Sequence, residues 1–109
     1  MAKINIVALP QFQKEIKQLS KKYISLPNDF ENLLVALEKN PATGESLGNN
    51  CYKIRIAIAS KGKGKSGGAR VITNVVVKET IVYLVAVYDK SEIPNISKVE
   101  LDELLKQIK

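Results

Sequence analysis

The sequence predicts an α+β domain, a small antiparallel sheet with an N-terminal helical hairpin and a C-terminal helix, in the order β-α-α-β-β-β-α. Three observations predict it. Two stretches near the N-terminus carry apolar residues at spacings of three and four, the stripe of an amphipathic helix. Three strand-like runs fill the middle of the chain, with links too short for a parallel crossover of about a dozen residues. A final apolar stripe follows a serine with a glutamate three residues on, the spelling of a capping box. At 109 residues the chain reads as one domain, 1–109, long enough for a single core. The helices are expected on one face of the sheet.

The elements follow in order. Lys3–Leu9 is a short apolar run that reads as a first strand, ended by Pro10. Phe12, Ile16, Leu19 and Tyr23 form the stripe of the first helix, and Lys14, Lys17, Lys21 and Lys22 line its other side as a solvated face. Leu26-Pro27-Asn28 breaks that helix, and Asn28 with Glu31 spells a capping box for the next. Its stripe is Phe30, Leu33, Leu34 and Leu37, and Asn40-Pro41 ends it, because a residue before proline avoids the helical region. Ala42–Asn50 reads as a polar, turn-rich connection. In the strand that follows, Tyr52, Ile54, Ile56 and Ile58 alternate with Lys53, Arg55, Ala57 and Ala59, so Lys53 and Arg55 share a face. The next strand puts Val71, Thr73 and Val75 on one face and Arg70, Ile72 and Asn74 on the other. Ile81–Tyr88 is apolar on both faces, as expected of a central strand. Ser97 and Glu100 cap the last helix, with Leu101, Leu104, Leu105 and Ile108 as its stripe.

The charge balance is 17 basic against 11 acidic residues, a net +6, which favours an acidic partner and nucleic acid first among them. Between the first two central strands runs a loop holding Lys61, Lys63 and Lys65 among four glycines. Glycine accounts for its freedom but not for three cations in alternation, which repel one another unless an anion is near. The absence of histidine removes the commonest acid–base group and metal ligand, so neither metal nor cofactor is expected. Gly64-Lys65-Ser66 resembles the end of a P-loop, but Ala59 stands where the first glycine belongs and a strand follows instead of a helix. A lone Cys51 forms no internal disulfide and reads as a small buried hydrophobe. Tyr52 and Tyr83 fall in apolar registers and read as core, while Tyr88, at a strand end beside Asp89 and Lys90, is placed to stack on a base. No apolar run approaches the ~18 residues of a membrane span, and the first residues lack the apolar core of a signal peptide, so a cytoplasmic protein is expected.

The stretches LPQFQKEIKQLSKKY, LEKNPATGESLGNNCYKIRIAIASKGKGKSGGARVITNV and IVYLVAVYDKSE together resemble the RelE/ParE superfamily of toxins from type II toxin–antitoxin modules, and its RelE/HigB-like branch in the basic glycine loop. The most specific elements are Leu37–Pro41, Tyr52–Arg55 and Gly67–Ile72. The resemblance implies a ribosome-dependent, metal-independent mRNA endonuclease in which the 2′-hydroxyl attacks the adjacent phosphate. It also implies a cognate antitoxin that binds it in a hetero-oligomer. Carried over by position, Lys53, Arg55 and Arg70 are the catalytic candidates: Lys53 as general base, Arg55 and Arg70 as a clamp on the phosphate. Lys61, Lys63, Lys65, Tyr88 and Lys90 are the RNA-binding candidates. Ile96 stands near the position of a catalytic tyrosine in the family. Two other functions remain open to this sequence: a ParE-like toxin that inhibits DNA gyrase without catalysis, and an RNA-binding module that does not cut.

Overall fold

The computed structural model describes residues 4–62, 64, 67–93 and 95–108. The elements run β1 (Asn5–Ala8), α1 (Pro10–Lys22), α2 (Leu26–Lys39), β2 (Glu45–Gly48), β3 (Cys51–Ile56), β4 (Ala69–Val76), β5 (Ile81–Asp89) and α3 (Lys98–Leu105), with short 3-10 turns at Ala59–Lys61 and Val77–Glu79. One five-stranded sheet has the order β1-β5-β4-β3-β2. The fold is α+β with the expected hairpin and C-terminal helix, and four features differ in detail.

The sheet is mixed. β2 to β5 are antiparallel neighbours, but β1 pairs in parallel with β5, Asn5 to Ile81 through Ala8 to Leu84. The chain returns beside β1 only after the helical hairpin and β2 to β4, far more than the dozen or so residues a parallel neighbour needs. Glu45–Gly48 is an extra edge strand inside the stretch read as a connection. It is exposed throughout, and Asn49 and Asn50 turn it back on β3 with φ of 52° and 61°. Positive φ at both central residues marks a two-residue hairpin turn, and asparagine tolerates that region. Finally, α2 starts at Leu26 with Pro27 in its first turn, two residues before the predicted Asn28 cap. Ser97 does cap α3, accepting from the Glu100 amide at 3.1 Å.

The helices lie on both faces, not one. Phe12, Leu26, Leu33 and Leu37 of the hairpin pack with Ile54, Ile56, Val71, Val75, Val82, Leu84 and Val87 on one side of the sheet. On the other side Ile72, Ala86 and Tyr88 pack with Leu9 and the stripe of α3. No residue of α3 is fully buried. The hairpin side therefore supplies most of the hydrophobic stabilisation, at roughly 25 cal/mol per Å² of apolar surface removed from water.

A bulge divides β5. Ile72 pairs with Ala86 and Thr73 with Leu84, so Val85 is the extra residue. Such an insertion reverses the side-chain alternation. Val82 and Leu84 face the hairpin before it and Val87 after it, while Ala86 and Tyr88 turn to the face of Ile72.

Candidate functional site

The cross-strand register builds the site. Arg55 of β3 pairs with Arg70 of β4, and Arg70 pairs with Tyr88 of β5. One step along, Lys53 pairs with Ile72, and Ile72 with Ala86. Tyr52, Ile54 and Ile56 turn into the hairpin core, so alternation sends Lys53, Arg55 and Arg70 to the opposite face. All three catalytic candidates thus share one face. The Val85 bulge brings Tyr88 onto it; an unbroken β5 would have sent that ring into the hairpin core.

Two guanidinium groups directly opposite in a sheet are a destabilising pair. Arg55 is exposed and Arg70 is 4% exposed. Burial, and next the charge of Arg55, lower the Arg70 pKa from its ordinary value, with Tyr88 opposing. Arginine's intrinsic pKa is high enough that it stays charged at neutral pH. Its Nη1 donates to the Ala69 carbonyl at 3.1 Å, which fixes the group in place. Lys53 is half-buried; its Nζ donates to Asn95 Oδ1 at 3.3 Å and lies 3.8 Å from Glu45 Oε1. An open groove of about 330 Å³ beside it is lined by Cys51, Asn95 and Ile96 among others. Arranged this way, the exposed Arg55 guanidinium can take an anion, the buried Arg70 adds positive charge behind it, and Lys53 presents an amine at the edge.

The RNA-binding candidates divide. Lys61 is not a free loop cation. Its ammonium sits 3.0 Å from Asp89 Oδ1 and 3.0 Å from Ser91 Oγ, and 5.1 Å from the centre of the Tyr23 ring. Asp89 has no exposed side-chain surface. Burial would raise its pKa, but hydrogen bonds from Ser91, Tyr23 and Lys61 outweigh that and hold it well below the usual carboxylate range. Lys61 is therefore an anchor for the root of the basic loop. The preceding 3-10 turn is clamped to α2, with the Ala59 amide donating to Asp29 Oδ2 at 3.1 Å and the Ser60 amide to Ser25 Oγ at 2.8 Å. Lys63 and Lys65 lie outside the described residues. Lys90 follows β5, and its amide donates to the Gly68 carbonyl at 3.0 Å, beside the other end of that loop.

Tyr88 belongs to the row but is 5% exposed, covered by α3, so its ring is not open to stack on a base. Burial raises its pKa, against smaller opposing effects of the Ile96 backbone and Arg70, so the phenol stays protonated at neutral pH. Cys51 is buried, with Asn74 Nδ2 3.3 Å from its sulfur. Asp89, Tyr23 and Asn95 are not among the sequence candidates, and Lys61 is expected there to meet RNA instead of Asp89. The one available signal for the Asp89–Lys61–Tyr23 network was a lone acid ending an all-apolar strand within a basic region.

Among the described residues no helix is long and apolar enough to cross a membrane. Solved structures with this fold include E. coli toxin RelE carrying two arginine-to-alanine substitutions, in the free state, at 18% identity over 99% of this chain and 100% of that one, with a TM-score of 0.66. The isolated E. coli RelE toxin matches at 21% identity over 99% and 100% of the two chains, TM-score 0.61. The intact E. coli RelBE toxin–antitoxin complex matches at 20% identity over 81% and 96%, TM-score 0.61. A family model for the RelE toxin of the RelE/RelB toxin–antitoxin system matches residues 30–109, well over half of the sequence. The chain belongs to the RelE toxin family.

Proposed function

We propose that this toxin cleaves mRNA on the ribosome, with the Arg55–Arg70 row as its phosphate grip. The observation that carries the proposal is the pairing of two arginines directly across β3 and β4. Like charges in that position oppose folding, and an anion bridging them reverses the sign. The two free oxygens of a phosphodiester can take parallel hydrogen bonds from a guanidinium fork.

In the proposed reaction the 2′-oxygen of the ribose attacks phosphorus while the bond from phosphorus to the 5′-oxygen breaks. The products are a 2′,3′-cyclic phosphate and a free 5′-hydroxyl. Lys53 accepts the 2′-hydroxyl proton, Arg55 and Arg70 stabilise the added charge on the phosphorane oxygens, and the leaving 5′-oxygen takes up a proton from Lys90. Lys63 and Lys65 hold the flanking backbone. The expected protein partner is a cognate antitoxin, as in the RelBE complex that shares this fold.

A translation extract tests the reading. The wild type is expected to cut mRNA, while Lys53→Ala and Arg55→Ala, both with an unchanged melting temperature, leave it intact. Intact mRNA with folded wild type overturns the proposal, and a simultaneous block of DNA supercoiling identifies the gyrase reading instead. Co-expression with the neighbouring reading frame tests the partner: an antitoxin is expected to co-purify and to restore growth.

A further inference from the structure

The helices of this molecule segregate their charge. On α1, Lys14, Lys17 and Lys21 are all exposed. At 100° per residue they fall within about 60° of one another, and they span about 10 Å along the axis. Phe12, Ile16 and Leu19 point the other way, into the core. The one acid of α1, Glu15, is half-buried and turned inward: Oε1 accepts from the Val87 amide at 3.1 Å and Oε2 from Gln11 at 3.2 Å. The exposed acids of the helices lie elsewhere, Glu31 and Glu38 on α2 and Glu100, Asp102 and Glu103 on α3.

Among the described residues the ion pairs do not include Lys14, Lys17 or Lys21, whereas neighbouring Lys22 is 3.4 Å from Glu92. Attraction to the C-terminal end of the helix accounts for Lys21, but that effect fades within the last turn and leaves Lys14 and Lys17 unexplained. The row also lies on the hairpin side of the sheet, opposite the face of Arg55 and Arg70.

We propose that the outward face of α1 docks on the phosphate backbone of double-helical RNA, a second RNA contact on the side of the molecule away from the Arg55–Arg70 row. The chemistry selects this partner. The row has no aromatic residue, so it offers no platform on which single-stranded bases stack. It has no apolar residue among the lysines, as the core of a protein interface has. What remains is a line of compact point charges, suited to phosphates read as shape and charge. The contact does not depend on cleavage, so it stands or falls separately from the nuclease reading.

The test compares the wild type with the triple variant Lys14→Gln, Lys17→Gln, Lys21→Gln in binding to a short blunt RNA duplex, titrated between about 50 and 200 mM salt. A second triple variant, Lys39→Gln, Lys78→Gln, Lys106→Gln, makes the same change in net charge elsewhere on the surface. Each lost phosphate contact flattens the slope of log affinity against log salt by about 0.9. The α1 variant is expected to flatten it by about 2 to 3 and to bind the duplex at least tenfold more weakly at low salt, with an unchanged melting temperature. The control variant is expected to change the slope by less than about 1. Equal slopes for wild type and α1 variant, or equal losses in the two variants, overturn the proposal. If the α1 variant loses duplex binding while Lys53→Ala still cuts mRNA, this inference stands and the nuclease assignment falls.

Discussion

The carboxylate of Asp89 has no exposed surface and is met by the Tyr23 hydroxyl, the Lys61 ammonium, and both the hydroxyl and the amide of Ser91. Removing its charge leaves Lys61 a nearly buried cation without its counter-ion, and breaking a buried pair in this way costs about 3 kcal/mol or more. Asp89→Asn is therefore expected to lower the melting temperature by more than about 10 °C. The pH dependence has a definite sign. A carboxyl group whose folded pKa is depressed contributes stability that is complete above its unfolded pKa of about 3.9 and is lost as pH falls below it. The gap between wild type and Asp89→Asn should narrow by about 1 kcal/mol from pH 5 to pH 3, and a gap that stays constant rules out this role for the carboxylate. Arg55 makes the opposite case. Arg55→Thr removes a like-charge neighbour of Arg70 from a strand position that suits a β-branched residue, so stability should rise by about 0.5 kcal/mol while anion binding falls. A lower melting temperature for that variant would mean that Arg55 supports the fold. Both residues were visible in the sequence to different degrees. A period of two was enough to put Lys53 and Arg55 on one face. Nothing local told that Lys61 would find Asp89, 28 residues away, because that pair exists only once β5 lies beside the root of the loop.

At the scale of elements, alternation and helical stripes locate every strand and helix that buries a face, and they fail where burial fails. β2 is exposed at all four residues and has no apolar pattern to read; its trace in the sequence is Asn49-Asn50, two residues able to take positive φ. The bulge at Val85 is equally silent, since β5 is apolar on both faces and a shift of one residue changes no hydrophobic pattern. Its consequence is large, because it decides that Tyr88 joins Arg70. Backbone contact leaves a clearer mark at Gly68. A Cβ there would lie 1.9 Å from the Ile56 carbonyl oxygen and 3.0 Å from the Ala57 Cα, both backbone atoms at the end of β3. Neither moves without parting β3 from β4. Gly68→Ala is expected to cost about 2 kcal/mol or more in a denaturant titration. Gly62, at φ of +70° with nothing within 4 Å of its would-be Cβ, should accept asparagine at a cost below about 1 kcal/mol. If both variants cost the same, the close approach at Gly68 is not what that glycine serves.

The whole molecule assigns stability and proposed function to opposite faces of one sheet. The hairpin side holds the larger core, with Phe12, Leu26 and Leu37 at or below 1% exposure. The other side places like-charged groups together and covers the rest with α3, a helix of eight residues with none fully buried. The two faces should then respond to mutation in different ways. Leu37→Ala removes a fully buried side chain and is expected to cost 2–5 kcal/mol, a range set by how far the cavity collapses. At low temperature the folded fraction of that variant should still cut mRNA at the wild-type rate, because Lys53, Arg55 and Arg70 keep their register. Lys53→Ala gives up only a long contact with Glu45 and a hydrogen bond to Asn95, together within about 1 kcal/mol. Its melting curve should overlay the wild type while cleavage is lost. Parallel loss of melting temperature and activity in both variants would show that the two faces are not independent, and the sheet would have to be treated as one coupled unit.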